Sequence, residues 1–340
     1  MLARRTTLRL PGGIALETPL LIPSFSSKGF AIEEGRSSVN VPLSFAAPLI
    51  QDVMLVSAYD LGHGLVLGIE GLEQFPALGP LSNPSCLVVD SGQYETEPAY
   101  DLYETYEFPY EPLPWGQDRL TETTRRLSAE LPAIIVNLDI RGPIDQQIDQ
   151  ARHHFEGFPG FLHDFLVKPE GAGQFLSSEV LAANVGRFGP FDILGVTEKE
   201  LGNTLLNRLV VIARLRRSLD EAGMIGKPIH VFGSLDPLLS PLYFLAGAEL
   251  FDGLSWLRYA YYEGLSVYGE SLAALRGELG HHKNQRRATM VSNNLSYLQD
   301  LEIRMRRFLL VPEGDFAVFG RNAERLHDGY GALQTRIGGA

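Results

Sequence analysis

The feature that most constrains this chain is a series of short, almost wholly apolar segments, each ending in a polar or glycine-bearing turn. Pro19–Phe25, Val53–Tyr59, Cys86–Asp90, Ala133–Asp139, Asp164–Gly171, Asp192–Val196, Ile229–Gly233 and Leu250–Asp252 all read this way. Continuous apolar runs of this length are strands buried on both faces, as in parallel sheets covered by helices. Helical patterns separate most of them. After Pro143, Ile144, Ile148, Ala151 and Phe155 share one face, with Gly157 beyond the end. Further on, Leu205, Leu206, Leu209, Ile212, Leu215 and Leu219 share another, stopped by Gly223. A short helix is predicted through Ala46–Ile50.

Eight such strands predict an α/β fold, a (β/α)8 TIM-like barrel. A doubly wound sheet also alternates, but the strands end in Ser26, Ser57, Asp90, Asp139, Glu170, Gly195, Gly233 and Asp252. A barrel gathers those ends on one face, whereas an open sheet spreads them along a line. Ahead of the barrel, Pro11-Gly12-Gly13 marks the turn of a hairpin within residues 1–19. The barrel is expected over 20–279 and a helical tail over 280–340, all as one domain.

The 340 residues, 45 % apolar and 21 % charged, suit a globular protein with a large core. No apolar run approaches the roughly 20 residues that span a bilayer, so no membrane partner is expected. Met1-Leu2-Ala3-Arg4-Arg5 is followed by no apolar segment, so no signal peptide is expected either. The single cysteine, Cys86, excludes an internal disulfide and a multi-cysteine zinc site, and a reducing, cytoplasmic setting is expected. A net charge of −12 disfavours polyanion binding over the whole surface. Local basic clusters stand out in the tail: His281, His282, Lys283, Arg286 and Arg287, then Arg304, Arg306 and Arg307. They read as a solvated helix surface or as nucleic-acid contacts, of which Lys283, Arg286, Arg287, Arg304 and Arg307 are the candidates. No phosphate-binding glycine loop occurs.

Two stretches carry the chemistry. Leu250–Arg258 and Cys86–Tyr94 each set an aspartate where a buried strand meets a turn. In one barrel, Asp90 and Asp252 would meet at the same mouth. An aspartate after a strand is often only a helix cap, which also applies to Asp139. For Asp252 the apolar neighbours make an idle buried carboxylate costly. The segment from Gln93 to Trp115 interleaves tyrosines with acidic residues and reads as a surface insertion or as a lid over the site.

The stretch Val89-Asp90-Ser91-Gly92-Gln93-Tyr94-Glu95 resembles the Asp-Ser-Gly-Gly-Tyr/Phe-Gln signature of the tRNA-guanine transglycosylase superfamily. Gly247–Asp252 followed by Arg258 and Gly264 is similar to that family's Gly-x-Asp-x-Phe-Asp segment and its following arginine, and Phe232–Leu238 to its glycine-led turn after the seventh strand. The resemblance covers most of the chain. It implies a modified (β/α)8 barrel that exchanges a guanine in nucleic acid for a 7-deazaguanine base, without a dissociable cofactor. It makes Asp252 the nucleophile and Asp90 the general acid/base. Tyr94 would stack on the base, Asp139 read its edge, and Gly195 line the pocket with backbone groups. Glu170 stands at the place of a base-contacting glutamine, Ser57 at that of an asparagine near the nucleophile, and Arg258 on the substrate side.

Glu95 and Glu170 are carboxylates where the family has amides, which alters the base expected. The family's zinc subdomain, with three cysteines and a histidine, is absent. That subdomain helps hold RNA, and the chain is also similar to the branch that inserts 7-deazaguanines into DNA. Expected partners are therefore tRNA or DNA and a 7-deazaguanine base, with a second copy or partner protein also in view. Two other classes remain: a noncatalytic, nucleic-acid-binding or partner subunit, and a hydrolase of a small nucleoside or sugar.

Overall fold

The computed structural model describes residues 1–66, 84–96, 111–128 and 130–338. Eight parallel strands close into a barrel. In chain order they are β1 (Leu20–Phe25), β2 (Val53–Ser57), β3 (Cys86–Asp90), β4 (Ala133–Val136), β5 (Leu162–Val167), β6 (Ile193–Thr197), β7 (Ile229–Phe232) and β8 (Leu250–Gly253). Each pairs with its chain neighbour, and β8 pairs with β1 through Leu250 opposite Leu20 and Asp252 opposite Ile22. The fold is the expected (β/α)8 barrel.

Two hydrophobic layers divide the work. Inside, Leu20 and Ile22, Val53 and Leu55, Cys86 and Val88, Ile134 and Val136, Leu162 and Leu166, then Ile193, Phe232 and Leu250 form one cluster. The hairpin with strands Thr7–Arg9 and Ala15–Glu17 adds Leu8 and Leu16 from the strands and Leu10 from its turn to that cluster, and so closes the N-terminal end of the barrel. Outside, the other strand faces pack against the helices. Because strand side chains alternate, the next inward positions beyond the apolar residues are Ser24, Ser57, Asp90 and Asp252. The candidate functional side chains thus follow from the same period of two that fills the core.

The helices behave as their patterns predict, with local corrections. Ile144–Glu156 buries Ile148, Ala151 and Phe155. Leu205–Glu221 starts at Thr204, whose side chain accepts from the Asn207 backbone N–H, and buries Leu209, Ile212, Leu215 and Leu219. Leu205 itself, in the first turn, is exposed. The short helix before β2 begins earlier than expected, at Asn40, and passes into a tighter turn over Ala47–Leu49. Pro42 lies in its first turn, where its missing N–H costs nothing. In the tail, helix Lys283–Phe308 covers β1, with Glu302 accepting from the Leu21 backbone N–H at 2.9 Å. Helix Ala323–Gly338 follows it. Among the described residues no helix is long and apolar enough to cross a membrane.

Candidate active site

Asp252 sits at the end of β8 with 6 % of its surface exposed. Ser24 Oγ, from the adjoining β1, donates to its Oδ2 at 2.9 Å, and the Gly233 backbone N–H donates to its Oδ1 at 3.1 Å. Gly233 has φ +82°, in the left-handed region that glycine adopts without strain. That turn after β7 aims its N–H at the carboxylate. Beneath, His230 Nε2 lies 3.5 Å from Asp252 Oδ1. Two hydrogen-bond donors, one from β1 and one from the turn after β7, therefore converge on one carboxylate, with the imidazole beneath it.

Asp90 ends β3 and remains partly open to solvent, although protein surrounds it densely. Burial pushes its carboxyl well above the usual range, and the charges of Asp139, Glu95 and Asp252 push it the same way. The Ser91 backbone N–H opposes them weakly. Asp90 thus favours the protonated form, and it does so within electrostatic reach of Asp252. The two aspartates singled out in the sequence do meet at one mouth.

The other predicted residues divide. Asp139 is buried after β4, with Oδ1 accepting from Ser91 Oγ and Oδ2 3.0 Å from Lys168 Nζ. Lys168 also lies 3.1 Å from Glu200 and donates to Thr197 Oγ1 at 2.9 Å. Burial alone would lower Lys168, but Asp139 and Glu200 outweigh it and hold the ammonium charged. Asp139 is therefore an anchored carboxylate. Tyr94 is 38 % exposed at the mouth. Lys28 Nζ lies 4.0 Å from its ring centroid, and Arg258 Nη2 is 3.2 Å from its hydroxyl. Arg258 also donates to the Lys28 carbonyl at 3.4 Å, joining the turns after β1, β3 and β8.

Ser57 faces away from Asp252 in its bonding: its hydroxyl donates to Glu95 Oε2 at 2.8 Å. Glu95 is fully buried and accepts from Ser26 Oγ as well. Burial raises its carboxyl, while Ser26, Ser57 and the nearby Lys28 pull it down. Behind it, Asp60 accepts from the Ser27 backbone N–H at 2.7 Å. Burial and the Glu95 charge hold Asp60 well above the ordinary range. Glu95 thus packs behind the mouth, where it acts on Asp90 through its charge. Glu170 is exposed on the turn after β5, apart from the described hydrogen-bond network of the site.

Gly195 lies inside the barrel rather than at its rim. A Cβ there would come 2.7 Å from Phe232 Cε2 and 2.8 Å from Asp164 Oδ1. Its lack of a side chain leaves room for two buried groups, and that is its structural role. Asp164, Ser24, Lys28, Lys168 and His230 also belong to the site, and no motif of the sequence singles them out. The available signal was parity: Asp164 and His230 interrupt apolar strands at positions that point inward, as Asp90 and Asp252 do.

The basic residues of the tail do not form one surface. Arg287 packs over the ring of Phe30, 5.0 Å away, beyond the C-terminal end of β1, and Arg286 pairs with Glu270 at 3.1 Å. Lys283 opens the same helix. Arg306, in contrast, donates to the Glu17 carbonyl at the hairpin end. Arg304, paired with Asp300, and the exposed Arg307 lie at that end. Eighteen residues of helix at about 1.5 Å each separate Arg286 from Arg304 by about 27 Å. Lys283, Arg286 and Arg287 belong to the mouth side, and Arg304 and Arg307 to the opposite end.

A cavity of about 320 Å³ adjoins Asp252 through Gly233, with Ser234, Asp236, Glu198 and Tyr259 in its wall. A cleft of about 340 Å³ between β1 and the tail helix, lined by Leu21, Glu302 and Arg306, contains none of these carboxylates. Among the described residues no three His, Cys, Asp or Glu side chains are arranged to hold a metal ion. Residues 97–110 of the acidic aromatic segment lie outside the described residues, and so does the lid expectation for them. No family model and no curated protein matches this chain.

Proposed function

We propose that the chain is a base-exchanging pentosyltransferase that replaces a guanine in nucleic acid by a 7-deazaguanine base. The observation that carries this reading is the pair Asp252 and Asp90. One carboxylate is oriented by Ser24 and the Gly233 N–H, and the other is held toward its protonated form nearby. A glycosidic bond breaks through an oxocarbenium-like state, and a carboxylate on the far face can trap it. Asp252 would form the bond to the anomeric carbon while Asp90 gives its proton to the departing base. The incoming base then attacks from the face that was vacated, returns a proton to Asp90 and frees Asp252. Two displacements keep the original stereochemistry.

Tyr94 would stack on a base taken out of its strand, with Arg258 fixing its hydroxyl. No dissociable cofactor enters this chemistry. Incubating the protein with tRNA and, separately, with duplex DNA and isotope-labelled guanine tests the reading. Label appearing in the nucleic acid supports it, and no label in either counts against it.

A second reading is favoured by the dispersed tail arginines and the net charge of −12. On that reading the same two aspartates act on a free nucleoside. Label appearing only in added guanosine would select it.

A further inference from the structure

One polar layer lies inside the barrel below the two aspartates. Asp164 on β5 and His230 on β7 are both fully buried, and His230 Nδ1 is 2.7 Å from Asp164 Oδ2. The other ring nitrogen, Nε2, faces Asp252 Oδ1 at 3.5 Å, longer than a direct hydrogen bond, and no hydrogen-bond partner among the described residues satisfies it. The Phe232 ring lies against the imidazole, with centroids 3.8 Å apart. Gly195, on the strand between Asp164 and His230, leaves the gap that Asp164 and Phe232 occupy. Barrel interiors are ordinarily filled by branched apolar side chains, and apolar replacement of a buried ion pair is often neutral or stabilising. Packing alone does not account for this layer.

Resting on the transfer reading above, we propose that Asp164 and His230 act through Asp252. The imidazolium anchored by Asp164 lies under the nucleophile and fixes its aim, so His230 is a positioning residue. Burial by itself would lower His230, but Asp164 and then Asp252 outweigh it and raise the ring to about 9. Burial pushes Asp164 upward, the His230 charge pulls it down, and Asp252 and Asp192 push it up again. The charged groups that act on His230 are thus Asp164 from β5 and Asp252 from β8, while β6 presents only Gly195.

The proton count is simple. An Asp252 oxygen bonds to the anomeric carbon as the bond from that carbon to the base breaks. The electron pair leaves with the base, and Asp90 supplies the proton. His230 keeps its own proton through both displacements. While the ester stands, the imidazolium retains Asp164 as its only facing carboxylate among the described residues, and its attraction to the departing carboxylate oxygen favours release of the ester.

Two measurements on the full chain test this. The first is histidine 15N NMR of wild type, Asp164→Asn and Asp252→Asn. The resonance of His230, assigned by its absence from His230→Gln, should titrate near pH 9, and lower in both aspartate variants. Titration near the ordinary value of about 6.5 in all three would overturn the proposal. The second is covalent adduct formation with a labelled guanine-containing oligonucleotide, made in an Asp90→Asn background so that Asp90 adds no pH limb. Adduct formation should decline above about pH 9, and His230→Gln should lower its plateau at least about ten-fold and remove that decline. Asp164→Asn should do the same to a smaller degree, which covers the case of a His230 variant that does not fold. A folded His230→Gln with an unchanged rate and pH profile would contradict the positioning role. If His230 titrates as expected but wild type forms no adduct, the transfer reading fails and the positioning role fails with it. The ion pair then stands as a structural one.

Discussion

Ser24 Oγ donates to Asp252 Oδ2 at 2.9 Å across the seam where the first barrel strand meets the last. The hydroxyl and the carboxylate are 228 residues apart in the chain. The candidate nucleophile therefore acquires its orientation only when the barrel closes. A hydrogen bond to a charged group is worth roughly 1.5–3 kcal/mol. Ser24→Ala should accordingly slow adduct formation by roughly ten-fold or more and leave the fold intact, as read by single-turnover kinetics beside circular dichroism. An unchanged rate would place the hydroxyl outside the reaction.

Asp90 gives a pH dependence of defined sign. Its carboxyl is raised by burial and by the charges of Asp139, Glu95 and Asp252, so the acid form persists well above the pH of an ordinary aspartate. Base release that needs its proton should fall as pH rises through that elevated value. Asp90→Asn should slow exchange by roughly 10² or more, the range for a lost general acid/base, and abolish that fall.

The same residue links to stability. A folded-state value above the unfolded one means that Asp90 favours folding most below the unfolded value of about 3.9. That contribution is lost as pH rises through the folded value. Denaturant melts should therefore find Asp90→Asn gaining on wild type between acid and alkaline pH. A constant difference across that range would contradict the raised carboxyl.

Gly195→Ala places a methyl 2.7 Å from Phe232 and 2.8 Å from Asp164. Neither neighbour is a free surface group, so the added carbon should cost about 1–3 kcal/mol of stability, the usual range for overpacking a core. Thermal unfolding reads it directly. No loss of stability would mean that the layer can yield at this point.

The tail separates two sets of cations by length alone. If nucleic acid lies over the mouth, Arg286→Ala with Arg287→Ala should weaken binding and flatten its salt dependence. Arg304→Ala with Arg307→Ala should change little. Filter binding at several salt concentrations distinguishes them, and equal effects from both pairs would require a path along the whole helix.

The barrel was legible because a parallel strand covered on both faces has a plain apolar signature, and eight of them leave few architectures. Asp90 and Asp252 were legible for a related reason: each ends such a run at an inward position. Asp164 and His230 were less so. They lie within the strands, where a single polar residue looks like tolerance in an apolar run, and their partners arrive from other strands. Ser57 and Glu95 show a different limit. Their bond to each other connects β2 with the turn after β3, and neither local pattern contains it. The tail arginines, adjacent in composition, are spread by the rise of the helix that carries them.

The claim on which the account rests is that Asp252 bonds to the sugar. Asp252→Asn keeps the shape of the side chain and removes the anion. Enzyme mixed with labelled guanine-containing nucleic acid, with the second base withheld, would be run on a denaturing gel. Wild type should carry label at the mass of the protein–nucleic acid adduct, Asp90→Asn should carry it more slowly, and Asp252→Asn should carry none. An adduct that persists in Asp252→Asn, or exchange at the wild-type rate in that variant, would contradict the account.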